Sequence, residues 1–142
     1  MKISTRGRYA LRVMIDLAEQ RESGYIPLKE IAERQDISKK YLESIVTDLS
    51  KQGIVEGQHG KGGGYKLTKA PEEYTVGEVI RAIEGDLAPV SCLECNAKPC
   101  SRAAGCKTLN MWKGLKTIVE NYFDSMTVAD LVAASVEAEY VI

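Results

Sequence analysis

Cysteine is absent from most of this sequence, because all four cysteines among its 142 residues lie between positions 92 and 106. Histidine, tryptophan and phenylalanine occur once each. The basic opening contains no signal-peptide core, and no apolar run approaches the roughly 18 residues that a membrane-spanning helix needs. We therefore expect a cytoplasmic protein with no membrane contact, whose thiols stay free unless they bind metal or undergo redox chemistry.

A large net charge is also lacking, since the formal value is −1, but the two halves of the chain differ in sign. Residues 1–70 contain 13 Lys and Arg against 9 Asp and Glu, whereas residues 71–142 contain 6 against 11. The N-terminal half therefore carries +4 and the C-terminal half −5. Because basic surfaces attract nucleic acid, the N-terminal half is the candidate DNA-binding surface, and the cysteines lie in the other half.

Three helices are predicted in the first part of the chain. Apolar residues recur at helical spacing over residues 9–18, and Pro27 then opens a short second helix at residues 28–34. Ser38 is a suitable N-cap for a third helix, which ends at Gly53. Two short helices joined by a tight turn, the second of them capped by serine, indicate a helix-turn-helix.

A glycine-rich hairpin is predicted directly after the third helix. Residues 54–56 and 64–67 have strand character and flank the run GQHGKGG. Thr75 then starts a further helix that ends near Gly85. A helix-turn-helix followed by such a hairpin is a winged helix. We therefore expect a mainly α fold with a small β wing, whose DNA-binding region spans residues 1–85.

The rest of the chain divides into a cysteine-rich loop at residues 86–107 and a helical region at residues 108–142. The helical region begins with a long amphipathic stretch, is interrupted at residues 121–125 and ends in a short final helix. Its apolar stripe consists of Met111, Trp112, Leu115, Ile118, Val119, Tyr122, Phe123 and Met126. A stripe of this width predicts a long dimerisation helix that pairs with a second copy in a homodimer. The alternative is packing against the winged domain.

The candidate DNA contacts lie at the start of the third helix and at the hairpin tip. A recognition helix meets base edges and phosphates with its N-terminal residues, and glycines let a hairpin tip approach a minor groove closely. Lysines suit phosphates, and the carboxylate of Glu43 can accept from a cytosine amino group. The residues concerned are Ser38, Lys39, Lys40, Tyr41 and Glu43 in the helix and His59, Gly60 and Lys61 in the tip. The alternatives are a solvated helix face and a floppy hairpin tip.

The four cysteines, spaced C-x2-C-x4-C-x5-C, are the candidate metal ligands: Cys92, Cys95, Cys100 and Cys106. Proline and glycine between them predict a flexible loop from which thiolates can converge on an iron–sulfur cluster. This interpretation is favoured over zinc, a reversible thiol switch and the absence of any site. A thiol–disulfide enzyme using Cys92 and Cys95 is disfavoured, because the βαβ context is missing and the winged helix has no role in it. We expect no catalytic residues.

Four stretches of the chain carry a family resemblance: ISTRGRYALRVMIDLA, IPLKEIAERQDISKKYLESIVTDLSKQGIV, GKGGGYKL and VGEVIRAIEG. They resemble the Rrf-two superfamily of bacterial winged-helix regulators, and most closely its iron–sulfur cluster regulator branch, IscR. The resemblance implies a homodimeric repressor that binds double-stranded operator DNA and pairs through its long C-terminal helix. It also implies an iron–sulfur cluster that alters DNA affinity or operator choice, with the family's three cluster cysteines matched by Cys92, Cys100 and Cys106.

Three positions depart from the family pattern. Leu109 stands where a histidine completes the 2Fe–2S site of the iron–sulfur regulator, and Arg8 stands where an aspartate serves a 4Fe–4S site in some relatives. Cys95 is therefore the candidate fourth ligand, with 2Fe–2S favoured over 4Fe–4S and the iron–sulfur assembly machinery as a partner. His59 stands where relatives insert an arginine into the minor groove. The alternative is a CymR-like regulator controlled by a thiol or a partner protein, with structural zinc or no metal.

Overall fold

The structure, a computed structural model, describes residues 1–136. Within that range the chain forms six α-helices and one two-stranded sheet. Their bounds are α1 Thr5–Glu19, α2 Leu28–Gln35, α3 Lys39–Lys51, β1 Val55–Gln58, β2 Gly64–Leu67, α4 Val76–Glu84, α5 Leu109–Asp124 and α6 Val128–Ala133. The predicted mainly α fold with a small β wing is confirmed. Residues 137–142 of the predicted C-terminal region lie outside the described residues.

Helices α1 to α3 share one apolar core and form the predicted helix-turn-helix. The Ser38 hydroxyl accepts from the backbone N–H of Tyr41 at 3.2 Å, which starts α3 where the sequence predicts it. Asp36 adopts a left-handed backbone conformation, with φ 53°, and turns the chain between α2 and α3. Each large apolar side chain that α3 buries in this core contributes about 1.5–3 kcal/mol to the free energy of folding. The buried face of α3 consists of Leu42, Ile45, Val46 and Leu49.

One buried carboxylate fastens α1 to α2. Asp16 is 3% exposed and accepts hydrogen bonds from Arg34 Nε at 3.0 Å, Arg34 Nη2 at 2.8 Å and Gln35 Nε2 at 3.0 Å. The bond to Asp16 raises the pKa of Arg34, so the guanidinium remains charged. A buried charge is tolerated only when it is paired and hydrogen-bonded, as it is here.

The wing is anchored to the helical core at its base. Strands β1 and β2 pair antiparallel, from Val55 opposite Leu67 to Gln58 opposite Gly64. The buried Tyr74 hydroxyl accepts from the backbone N–H groups of Thr68 and Lys69, both at 2.9 Å, and donates to the Ile54 carbonyl at 2.7 Å. A second anchor lies before α2, where Ile26 and Tyr65 exchange two backbone hydrogen bonds of 2.8 and 2.9 Å.

Helices α5 and α6 relate differently to this core. Val128 of α6 is fully buried, and its N–H donates to the Tyr74 carbonyl at 3.0 Å. Helix α5 buries no residue completely, although Arg81 of α4 forms an ion pair of 2.6 Å with Asp124 in its last turn. The predicted interruption at residues 121–125 is wrong, because α5 continues through Asp124. Helix α6 therefore joins the winged-helix core, whereas α5 keeps one face open.

No helix in the described part of the chain is long and apolar enough to cross a membrane.

Candidate nucleic-acid interface and cysteine loop

The recognition helix α3 and the wing border a common groove of about 580 Å³. Four of the predicted DNA contacts line this groove together: Lys39, Glu43, His59 and Gly60. The other four lie outside its lining: Ser38, Lys40, Tyr41 and Lys61. The fold thus brings the first turn of α3 and the wing tip to one surface, as a winged helix requires for contacting adjacent grooves of DNA.

Two of the predicted contacts in the recognition helix already have structural roles. The Ser38 hydroxyl caps α3 by accepting from the N–H of Tyr41. The Tyr41 ring is half-buried and packs edge-on against Tyr9 of α1, with 5.7 Å between ring centroids. Lys39, Lys40 and Glu43 are exposed, and so is Ser38. Two cations and one carboxylate are therefore exposed without a structural role of this kind.

The wing tip depends on glycine at two positions. Gly60 has φ 90°, a left-handed conformation that other residues rarely adopt. Gly64 has φ 150°, and a Cβ there would collide with the backbone of Ile26. His59 and Lys61 are exposed beside these glycines. The tip can therefore approach a DNA backbone closely and still present two side chains.

Several residues that line the groove are not among the DNA contacts predicted from the sequence. Thr47 and Ser50 lie on the same face of α3 as Lys39 and Glu43, so helical spacing could have identified them. Lys29 belongs to the first turn of α2 and reaches the groove only through the tertiary fold. It adds a second lysine to Lys39 in the lining beside His59, which favours phosphate binding.

The cysteine loop leaves all four of its thiols free and exposed. Between α4 and α5 the loop contains only two short 3₁₀ turns, Ser91–Leu93 and Ala103–Gly105. Among residues 1–136 no group of three or more His, Cys, Asp or Glu side chains is placed to hold a metal ion. The predicted ligand set is therefore present in the loop but is not brought together.

Cys95 is fastened to Asp86 at the start of the loop. The Asp86 carboxylate accepts from the N–H of Cys95 at 2.6 Å and from the N–H of Ala88 at 2.7 Å. A hydrogen bond from the Cys95 thiol to the carboxylate raises the pKa of Cys95 and lowers the pKa of Asp86. Lys116 of α5 also donates to the Leu93 carbonyl at 3.2 Å. This end of the loop is tied to both neighbouring helices, and its cysteine favours the thiol form.

Cys106, at the other end of the loop, has the opposite character. Its Sγ lies 3.5 Å from the Thr108 hydroxyl, just before the first turn of α5. Hydrogen bonds from the Thr108 side chain and from nearby backbone N–H groups lower the pKa of Cys106. A thiolate is the form that binds metal and reacts with oxidants. Cys106 therefore forms the metal-binding thiolate more readily, whereas Cys95 must first break its hydrogen bonds to Asp86.

Helix α5 exposes an apolar stripe. Met111 is 55% exposed, Leu115 37%, Ile118 67% and Tyr122 61%. These residues follow one another at intervals of four, three and four, so they share one helix face. Contiguous exposed apolar surface of this kind marks an interaction site.

Comparison with known proteins identifies the family. Residues 3–134 match the Rrf2 family, described as iron-dependent transcriptional regulators. The chain is 36% identical over 132 residues to the HTH-type transcriptional regulator IscR of Aliivibrio salmonicida, spanning 92% of this chain and 77% of that protein. It is 39% identical over 131 residues to the HTH-type transcriptional regulator CymR of Bacillus subtilis, spanning 92% of this chain and 89% of that protein.

Solved structures agree with this assignment. The structure of CymR, the global cysteine regulator of B. subtilis, superposes with a TM-score of 0.76 at 37% identity, covering 96% of this chain and 99% of that one. The structure of T. potens IscR gives a TM-score of 0.74 at 34% identity, covering 100% and 93%. These relatives are transcriptional regulators and not enzymes, as the sequence predicts. The chain therefore belongs to the Rrf2 family of DNA-binding transcriptional regulators.

Proposed function

We propose that two copies of this chain form a repressor that binds a roughly palindromic operator and responds to an iron–sulfur cluster in the cysteine loop. The observation that carries the DNA-binding part is the shared groove between α3 and the wing, with Lys29, Lys39 and His59 in its lining. In a two-fold symmetric dimer, the two recognition helices would enter successive major grooves.

Each predicted contact has a proposed task. Lys39 and Lys40 neutralise phosphates, and Glu43 reads a cytosine amino group in the major groove. Gly60 allows the wing tip to approach the minor groove, where His59 and Lys61 make their contacts. Ser38 and Tyr41 contribute by fixing the start of α3, because their polar and aromatic groups already contact the protein. Glu43 also disfavours operators that lack a suitable donor, since its carboxylate would then be desolvated without a partner.

Dimerisation uses the exposed stripe on α5. The stripe would bury its apolar side chains against a second copy, as paired amphipathic helices do. Helix α6 does not compete for this face, because Val128 is committed to the winged-helix core. The start of α5 adjoins Cys106, so the dimer face and the cysteine loop are continuous in the chain.

The cluster ligands in this proposal are Cys92, Cys100 and Cys106, with Cys95 as the fourth, and a 2Fe–2S cluster is favoured over 4Fe–4S. The donor set fits, because four free thiols stand within 15 residues of a loop that carries little regular structure. When bound, the cluster supplies an iron–thiolate centre that responds to oxidants and to iron supply. The chain contributes a thiolate at Cys106 and must release Cys95 from Asp86. The assembly machinery for such clusters is the proposed partner that loads it.

A second candidate is a CymR-like regulator without an iron–sulfur cluster. It is favoured by the 39% identity to B. subtilis CymR, which spans 89% of that protein. In this version the low-pKa Cys106 responds to oxidation, or the loop holds structural zinc or meets a partner protein.

Anaerobic purification separates the two candidates. Visible absorbance with iron and sulfide in the purified dimer supports the first candidate, and a colourless protein that remains so after reconstitution with iron and sulfide contradicts it. Cys100→Ala and Cys106→Ala should remove the absorbance, while Ser101→Ala serves as a neighbouring control.

Operator selection from random DNA, followed by gel shifts with Glu43→Ala, tests the DNA contacts. The variant should bind a broader set of sequences, and an unchanged set contradicts the role of Glu43.

A further inference from the structure

The end of α4 is bound to the start of α1 through Glu84. One carboxylate oxygen, Oε1, accepts from the backbone N–H of Ser4 at 2.9 Å and from its hydroxyl at 2.5 Å. Gly7 lies against the same oxygen, and a Cβ at this position would collide with it. A carboxylate at a helix N-terminus is stabilised by the helix dipole. The first turn of α1 is therefore held in place by the last residue of α4.

Arg6 connects this same turn of α1 to the recognition helix. Its Nη2 donates to the Ser44 hydroxyl at 3.1 Å and to Asp48 Oδ2 at 2.5 Å. Ser44 and Asp48 stand four residues apart on α3, so one guanidinium group holds two successive turns of that helix. Ser44 directly follows Glu43, the proposed reader of the major groove. The position of Arg6 therefore influences how α3 presents its outer face.

The other side of Glu84 leads to the cysteine loop. Gly85 ends α4 in a left-handed conformation, with φ 80°, and the next residue, Asp86, binds the backbone of Cys95. Only Gly85 thus stands between Asp86, which anchors Cys95, and Glu84, which anchors α1. A rearrangement of the loop that removes Cys95 from Asp86 acts on the backbone adjoining Glu84.

We propose that Glu84, Ser4, Arg6, Ser44 and Asp48 form a link that positions the recognition helix according to the arrangement of the cysteine loop. Glu84 and Arg6 are positioning residues, because neither lines the groove and both act through groups on α1 and α3. The proposed function supplies the event that moves the loop. The connection from α4 to α3 is a property of the fold and does not itself require a cluster.

A double-mutant cycle on operator affinity tests the link. Glu84→Gln and Asp48→Asn should each weaken binding about 3- to 10-fold, a range usual for coupled residues in one network. The double variant should lose no more than the weaker-binding single variant, since either change already breaks the link. Losses that multiply would overturn the proposal. In the control cycle, Glu78→Gln replaces Glu84→Gln on the same helix, and its effect should combine with Asp48→Asn independently.

Hydrogen exchange of the DNA-free protein gives a second readout that distinguishes positioning from simple loss of stability. Glu84→Gln should speed exchange of the amides on the outer face of α3, at residues 43, 44, 47 and 48, by about 3- to 10-fold at an unchanged midpoint of thermal unfolding. Glu78→Gln should leave these amides unchanged. Unaltered exchange in α3 of Glu84→Gln overturns the link, whatever the operator result. If no DNA sequence binds the unmodified protein, the proposed function fails, while the exchange experiment still decides on the link.

Discussion

The winged-helix half and the segment that follows it differ in how far a single chain buries their side chains and supplies their partners. In the first, Asp16 and Tyr74 are buried with full sets of hydrogen-bond partners, and the apolar face of α3 is enclosed. In the second, four thiols are exposed and α5 buries no residue completely. The comparison indicates that the candidate DNA-binding surface is preformed in one chain. We propose that the cysteine loop and the face of α5 are completed by groups outside it.

The largest effect on the free energy of unfolding should come from a leucine-to-alanine substitution in the winged-helix half, compared with the same substitution on α5. Leu42→Ala removes a fully buried side chain and should lower the free energy of unfolding by about 3 kcal/mol, because a cavity remains in the core. Leu115→Ala, on the open face of α5, should cost less than about 1 kcal/mol in dissociated protein. Urea unfolding at a dilution that separates the dimer measures both. Equal losses would show that the two regions do not differ as described.

A charge on the exposed stripe of α5 should weaken dimerisation and leave the winged-helix half folded. Ile118→Asp would place an unpaired carboxylate in the proposed dimer interface and weaken dimerisation by about 100-fold or more. Thr117→Asp, at the neighbouring exposed position outside the stripe, is the matched control. Sedimentation equilibrium gives the dissociation constants, and circular dichroism should show an intact fold in both. A dimer that tolerates Ile118→Asp would place its interface elsewhere.

The anchor of the wing offers a sharper test of the first region. Tyr74→Phe leaves two backbone N–H groups and one carbonyl without the hydroxyl that joins them, and should destabilise the fold by about 2 kcal/mol. Tyr122→Phe removes a hydroxyl that is exposed in the single chain and should have almost no effect on unfolding of the dissociated protein. Thermal unfolding of the two variants compares them. Similar midpoints would mean that Tyr74 does not fix the wing.

The smallest predicted difference lies within the cysteine loop. At a pH below the usual thiol range, Cys106 should be alkylated faster than Cys95 in cluster-free protein, because the pKa of Cys106 is lowered and that of Cys95 is raised. The bond from the Cys95 thiol to the Asp86 carboxylate is present between the lowered pKa of Asp86 and the raised pKa of Cys95, and it is lost as pH rises through the latter or falls through the former. Asp86→Asn should therefore accelerate alkylation of Cys95. Peptide mass spectrometry after timed iodoacetamide treatment measures each site, and Cys95 reacting first would contradict the assignment.

The sequence predicts the parts of the fold that depend on local signals. Ser38 marks the start of α3, and the glycine-rich run at residues 57–63 marks the wing, because capping and turn residues act within a few positions of themselves. The predicted interruption of α5 failed for a tertiary reason: Phe123 packs against the core cluster around α4, and Asp124 pairs with Arg81.

The candidate site was predictable in its outline but not in its connections. The lysines and glycines of the candidate DNA-binding surface can be identified from their spacing, and so can the four cysteines. Asp86, which fastens Cys95, and Glu84, which fastens α1, carry no local pattern that separates them from other acidic residues. Their partners are nine and 80 residues away in the chain, so only the fold reveals them.

On the proposed function, the state of the cysteine loop controls a preformed DNA-binding surface. Fluorescence anisotropy of one selected operator, titrated anaerobically with cluster-loaded and with cluster-free dimer, tests this most directly. A coupling free energy of the usual size predicts dissociation constants that differ by about 5- to 150-fold, with Cys100→Ala behaving like the cluster-free protein. Equal dissociation constants for the two forms, with both still dimeric, would contradict the claim.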